Sequence, residues 1–73
     1  MDNINWTEVE SSNISRIAYD ESDGKIIVEF KDGGQYAYDD CSPQLFNQFR
    51  MAESAGKFFH SNIKAGHTAE RLN

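Results

Sequence analysis

Five side chains late in the chain recur at intervals of three, four, three and four: Lys57, His60, Lys64, His67 and Arg71. On one continuous helix that spacing would align them as a basic stripe able to meet phosphates. Ala65-Gly66 interrupts the run and histidine is only a partial cation at neutral pH, so the competing reading is a solvated helix face opposite Phe59 and Ile63. A second candidate is the triplet Tyr36-Ala37-Tyr38. Rings two apart on a strand share a face, where they could stack on unpaired bases at about 1–3 kcal/mol per base. Its competing reading is a pair of core rings with their hydroxyls at the rim.

Other chemistries find little support. A metal site would have to join His60 and His67 to Cys41 or an aspartate, yet no Cys-x-x-Cys or His-x-x-x-His pair exists. Cys41 has no basic partner in a recognisable arrangement, and Asp39-Asp40 fits a helix start better than an acid–base pair. The Asp32-Gly33-Gly34 turn is short and acidic, which suits no phosphate cradle. No catalytic residue, cofactor or metal is therefore expected.

The elements that must position these residues centre on one hairpin. Lys25 to Lys31 and Gln35 to Asp39 are runs of β-branched and aromatic residues joined by Asp-Gly-Gly. A two-residue loop at Asp32-Gly33 would turn the tyrosines away from the main apolar surface. A three-residue loop from Asp32 to Gly34 pairs Gln35 with Lys31, sets Tyr36 opposite Phe30 and Tyr38 opposite Val28, and makes both tyrosines core. Because register follows the hydrophobic face, the three-residue loop is expected. Upstream, Ile14 to Asp20 reads as a strand, and the turn Glu21 to Gly24 sets Asp20 against Lys25, Tyr19 against Ile26 and Ile17 against Val28. Trp6 is expected to fold back as a lid. Downstream, Ser42 can cap and Pro43 can open a helix running to about residue 52, with Leu45, Phe46 and Phe49 inward. After a break at residues 54–56, Lys57 to Lys64 reads as a shorter helix with Phe58 helping to cover the sheet, and His67 to Asn73 as loosely held.

A chain of 73 residues is at most one domain, and one this small buries only about 60% of its unfolded surface. With one cysteine there is no internal disulfide, and a core of this size rarely yields more than roughly 3–5 kcal/mol. A lone thiol and a polar N-terminus without a long apolar run lead to the expectation of a cytoplasmic protein that is neither exported nor membrane-bound. The net charge of −5 argues against non-specific nucleic-acid binding by the whole surface, but the charge is uneven. Residues 1–40 hold ten acids against three bases, and residues 41–73 two acids against four bases plus both histidines.

Val9-Glu-Ser-Ser12 with Asn-Ile, Ile17 and Tyr19, Val28-Glu-Phe-Lys before a Gly-Gly turn, Tyr36-Ala-Tyr38, and Gly56-Lys-Phe-Phe with Ile63-Lys64 together resemble the KTSC domain over roughly residues 8–65. That domain is named from the C-terminus of some lysyl-tRNA synthetases and also stands alone in bacteria and phages. The resemblance implies RNA recognition, carried onto Tyr36, Tyr38, Lys57, Phe58 and Phe59. Where the family would place an aromatic residue after Lys64, this chain has His67-Thr68. The expectation is one α+β domain over residues 1–73, a three-stranded antiparallel β-meander covered on one face by two C-terminal α-helices. It would be a non-enzymatic binding module recognising RNA or another nucleic acid or nucleotide through Lys57, His60 and Lys64, with aromatic contacts from Tyr36, Tyr38 or Phe58. The alternative is a protein-interaction module, a small acidic regulator or phage-encoded inhibitor of a host protein, using the acidic N-terminal half or an open sheet edge. Open edges on a small core also allow a homodimer.

Overall fold

Side-chain alternation along the central strands decides the architecture. In a computed structural model that describes residues 5–72, the chain forms β1 (Thr7–Glu8), β2 (Ile14–Asp20), β3 (Lys25–Phe30), β4 (Gln35–Tyr38), α1 (Pro43–Met51), α2 (Ala55–Phe58), which continues directly as a π-helix (Phe59–Lys64), and β5 (Ala69–Arg71). The strands make one antiparallel sheet in the order β1-β2-β3-β4-β5, and the helices lie against one face.

The β2–β3 register is the expected one: Ile17 faces Val28, Tyr19 faces Ile26 and Asp20 faces Lys25. Gly24, at φ +65°, closes the turn by donating its N–H to the Asp20 carbonyl at 2.8 Å. Near the start of β2 the register shifts between Ile14 and Arg16. This bulge lets Ile14 and Ile17, an odd number of residues apart, both reach 0% exposure on the helix side.

The β3–β4 turn has three residues, as expected, but lies one position earlier. Phe30 donates to the Gly34 carbonyl at 2.8 Å and accepts from the Gly33 N–H at 2.9 Å, so the loop is Lys31 to Gly33. The third loop position requires a left-handed backbone, and Gly33 supplies it at φ +97°. Val28 therefore pairs with Tyr36 and Ile26 with Tyr38, in place of the Phe30–Tyr36 and Val28–Tyr38 partners expected. The shift is two in register, so the tyrosines keep the expected face.

Five strands replace the expected three. The chain after His67 is not loose: β5 adds to β4, with Arg71 opposite Tyr36 and Ala69 opposite Tyr38, reinforced by Asp39 N–H to Thr68 carbonyl (3.0 Å) and Leu72 N–H to Gln35 carbonyl (2.8 Å). Thr-Glu and Ala-Glu-Arg are too short and polar to show a strand pattern; each forms by donating backbone bonds to an existing edge. Among the described residues the open edges are thus β1 and β5.

Ser42 caps α1 by accepting the Leu45 N–H (3.1 Å), with Pro43 at its first turn. Asp39 and Asp40 do not serve the helix dipole: Asp39 pairs with Lys25 at 3.4 Å, and Asp40 turns the chain at φ +56°. Ser54 caps the second helical segment by accepting the Lys57 N–H (3.3 Å), so that helix starts two residues before Lys57. Between helices and sheet lie Ile14, Ile17, Ile26, Val28, Tyr38, Phe49, Phe59 and Ile63. On the other face Ala18, Ile27 and Ala37 form a smaller patch, and Trp6 packs over it as the lid.

Gly33→Ala is expected to cost about 1–2 kcal/mol, because a Cβ there strains a left-handed backbone. Gly66→Ala, in open space and outside that region, is expected to change stability by less than about 0.5 kcal/mol. Urea unfolding of the two variants checks the turn assignment; equal costs would contradict it.

Candidate functional site

The helices leave part of their face of the sheet uncovered. Between the 55–64 helical segment and strands β4 and β5 runs a groove of about 550 Å³. Its floor is aromatic: Phe30, Tyr36, Tyr38 and Phe59. The rings meet edge to face, Phe30 with Tyr36 at 5.7 Å, Phe30 with Phe59 at 5.5 Å and Tyr38 with Phe59 at 5.3 Å. Tyr36 is half-buried, whereas Tyr38 is only 5% exposed. Burial, with Tyr36 beside it, pushes the Tyr38 phenol above its ordinary range.

The rim is basic. His60 and Lys64 come from the π-helix, and His60 sets its ring edge-on to Phe59 at 5.5 Å. Arg71 comes from β5, its guanidinium 5.7 Å from the centre of the Tyr36 ring. His67 lies beyond the helix, with Nδ1 2.7 Å from the Asp39 carbonyl oxygen. A carbonyl can only accept, so Nδ1 carries a proton and Nε2 is the ring's second polar position. Asn13, Asp32 and Gly34 close the hairpin end.

The expected site residues separate into two groups. Tyr36, Tyr38, His60 and Lys64 come together in the groove. Lys57 does not join them: it lines a neighbouring polar cleft of about 630 Å³ with Ser54, Ser61, Glu10 and Glu53, and that cleft shares only Asn13 and His60 with the groove. Phe58 stacks on buried Phe49 at 5.6 Å and 13° and belongs to the core. The basic spacing is not one helical stripe, since the helix ends before Ala65-Gly66. His67 and Arg71 reach the groove by another route, the turn and β5. Asp32 and Asn13 gave no signal as site residues, because only the folded hairpin brings them to the groove.

The Cys41 sulfur is 3.7 Å from His67 Nδ1, an approach that does not activate the thiol. The facing nitrogen already carries the proton given to Asp39, and burial pushes the thiol pKa up. Among the described residues no three His, Cys, Asp or Glu side chains gather as a metal site, and no helix is long and apolar enough to cross a membrane.

The opposite face uses its charges internally. Arg16 lies over Trp6 at 4.2 Å and makes two 3.0 Å bonds to Glu29, which also accepts from Gln35 at 2.6 Å. Lys25 meets Glu70 at 3.2 Å and Asp39 at 3.4 Å, and both carboxylates hold its pKa up. Lys64 is in none of the ion pairs among the described residues.

An antiparallel sheet with helices on one face and an aromatic, basic-rimmed groove between them defines a small α+β domain. The KTSC domain model matches residues 10–66, and the chain belongs to the KTSC domain family. A protein of Tsukamurella paurometabola is 34% identical over 56 residues, 77% of this chain and 84% of that protein. The crystal structure of a KTSC domain protein from Yersinia pestis is 27% identical, with a TM-score of 0.90 over 97% of this chain and 100% of that one.

The Arg16 and Gln35 hydrogen bonds hold the Glu29 carboxyl below its ordinary value of 4.5. A depressed carboxyl pKa stabilises the fold above the unfolded-state value, and that contribution is lost as pH falls through the folded value. Urea midpoints are therefore expected to fall as pH drops below about 4.5, and less steeply in Glu29→Gln. Identical slopes in the two proteins would show that the pair adds nothing.

Proposed function

We propose that this chain is a binding module without catalytic activity, and that its groove receives a nucleic acid or nucleotide, RNA above all. The observation that carries this reading is the convergence of Lys64, Arg71, His60 and His67 on an aromatic floor in a chain that is otherwise acidic. Phosphates need clustered cations, and unpaired bases need a flat apolar partner. Tyr36 with Arg71 is the stacking partner, because an arginine plane stacks on bases as a ring does and Tyr38 is too deeply buried to offer a face. The π-helical turn that presents His60 and Lys64 is an uncommon conformation often met at functional sites. The KTSC domain's occurrence beside a tRNA enzyme points the same way, by association.

The rival reading, a protein-interaction module, would use the acidic half (Glu8, Glu10, Asp20, Glu21, Asp23) or a sheet edge. Among the described residues the edges are Thr7–Glu8 and Ala69–Arg71, and short edge strands are poor templates for another chain. The groove is therefore preferred.

Fluorescence anisotropy with a labelled tRNA and a short single strand tests the proposal. Binding is expected at low salt and should weaken steeply as salt rises. Lys64→Glu and Arg71→Glu are each expected to lower affinity by about tenfold or more, and Lys57→Glu by less than about threefold. Absence of binding at low salt, or a Lys57 effect larger than that of Lys64, would overturn it.

A further inference from the structure

We infer that the groove reads a base, with Asp32 and Asn13 as the residues that determine specificity and guanine as the base they select; this rests on the nucleic-acid reading above. Asp32 is the one acid among the residues that line the groove. A carboxylate there works against every phosphate that approaches, so attraction of phosphate gives it no role. Its surroundings give it another. A Cβ on Gly34 would stand 3.2 Å from Asp32 Oδ1 and 3.4 Å from Tyr36 Cε1, so the carboxylate sits by the edge of the Tyr36 ring and the bare Gly34 leaves the space beside them open. A base stacked on Tyr36 meets that carboxylate with its edge, where its donors and acceptors lie.

Both polar groups are oriented before a ligand arrives. Asp32 Oδ1 accepts the Gly34 N–H at 2.9 Å, which holds the carboxylate and leaves Oδ2 as an acceptor. Asn13 stands at the same end of the groove, because its carbonyl accepts the N–H of Lys31, the neighbour of Asp32, at 2.8 Å. Ser11 sets the direction of the Asn13 amide. The Ser11 hydroxyl accepts the Asn13 and Ile14 N–H groups at 3.4 and 3.3 Å, so its own proton goes to Asn13 Oδ1 at 3.0 Å. The Asn13 NH2 group is then the end left to donate. Guanine alone among the bases sets two donors, N1–H and N2–H, side by side on its Watson–Crick edge, with the O6 acceptor next to them. The donors suit the carboxylate, and O6 suits the Asn13 amide. Adenine, cytosine and uracil still stack on Tyr36, but each sets a ring lone pair or a carbonyl beside its donor, facing the carboxylate. The phosphates lie toward Lys64 and His67, where no acid lines the groove.

Fluorescence anisotropy of the whole protein with labelled short uridine strands tests this, one internal position carrying uridine, cytidine, adenosine, guanosine or inosine, which lacks the N2 amine. The guanosine strand is expected to bind about tenfold more tightly than the uridine, cytidine and adenosine strands, and about threefold or more tightly than the inosine strand. Asp32→Asn keeps an acceptor for Gly34 but turns an amide donor toward the donors of guanine. With an unchanged circular dichroism spectrum, it should erase the guanine preference and bind the all-uridine strand at least as tightly as the unaltered protein does, because a negative charge has left the groove. A merely structural role for Asp32 would weaken every strand together, and that result overturns the inference. Equal affinities for all the strands, or a preference for another base, also overturn it and leave the nucleic-acid reading standing. No binding of any strand at low salt overturns both.

Discussion

Strand alternation at the β3–β4 turn is the constraint on which the rest depends. Side chains on a strand point alternately to the two faces, so moving one residue across that turn would exchange Tyr36 and Tyr38 with Gln35 and Ala37. Gly33 prevents the slip. Its left-handed backbone makes Lys31 to Gly33 a three-residue loop and locks Phe30 against Gly34. With that parity set, the tyrosines join Phe30 and Phe59, Glu29 joins Arg16 on the far face, and β5 brings Arg71 to the aromatic side.

The two faces solve different problems. The helix side buries nearly all the large apolar side chains, which a domain this small cannot spare. The other side holds only Ala18, Ile27 and Ala37 at its centre, with Trp6 as cover and Arg16, Glu29, Lys25 and Glu70 paired around it. Its cations are already partnered within the sheet. Lys64, in none of the ion pairs among the described residues, stands where the helices end and β5 has not closed the gap, and the groove exists because that gap remains.

Much of this was legible in the residues. Apolar alternation and the Glu21 to Gly24 turn determine the β2–β3 register, Ser42-Pro43 announces α1, and the hydrophobic face selects the three-residue hairpin loop. The loop's position was misjudged by one because both Gly33 and Gly34 can take a positive φ, and only the folded backbone distinguishes them. β1 and β5 were illegible for a different reason: their pairing comes from backbone groups of existing edges, which no side-chain pattern records. That omission hid the site's second wall. His67 and Arg71 were noticed as parts of a helical stripe, yet they arrive through a turn and a strand, while Lys57, on the helix itself, faces another cleft. The adjacent aromatics Phe58 and Phe59 do not declare in sequence which of them a ligand could reach; the core buries Phe59, and Phe58 stacks on Phe49.

The proposed recognition surface is the gap between the 55–64 helical segment and the β4–β5 pair. Residue-resolved NMR of the labelled protein titrated with adenosine monophosphate tests it most directly. Amide shifts are expected to concentrate on Tyr36, Lys64, His67 and Arg71, with Trp6, Ala18, Ile27 and Glu29 unmoved. Shifts centred on the Trp6 face or on the cleft around Lys57 would contradict it.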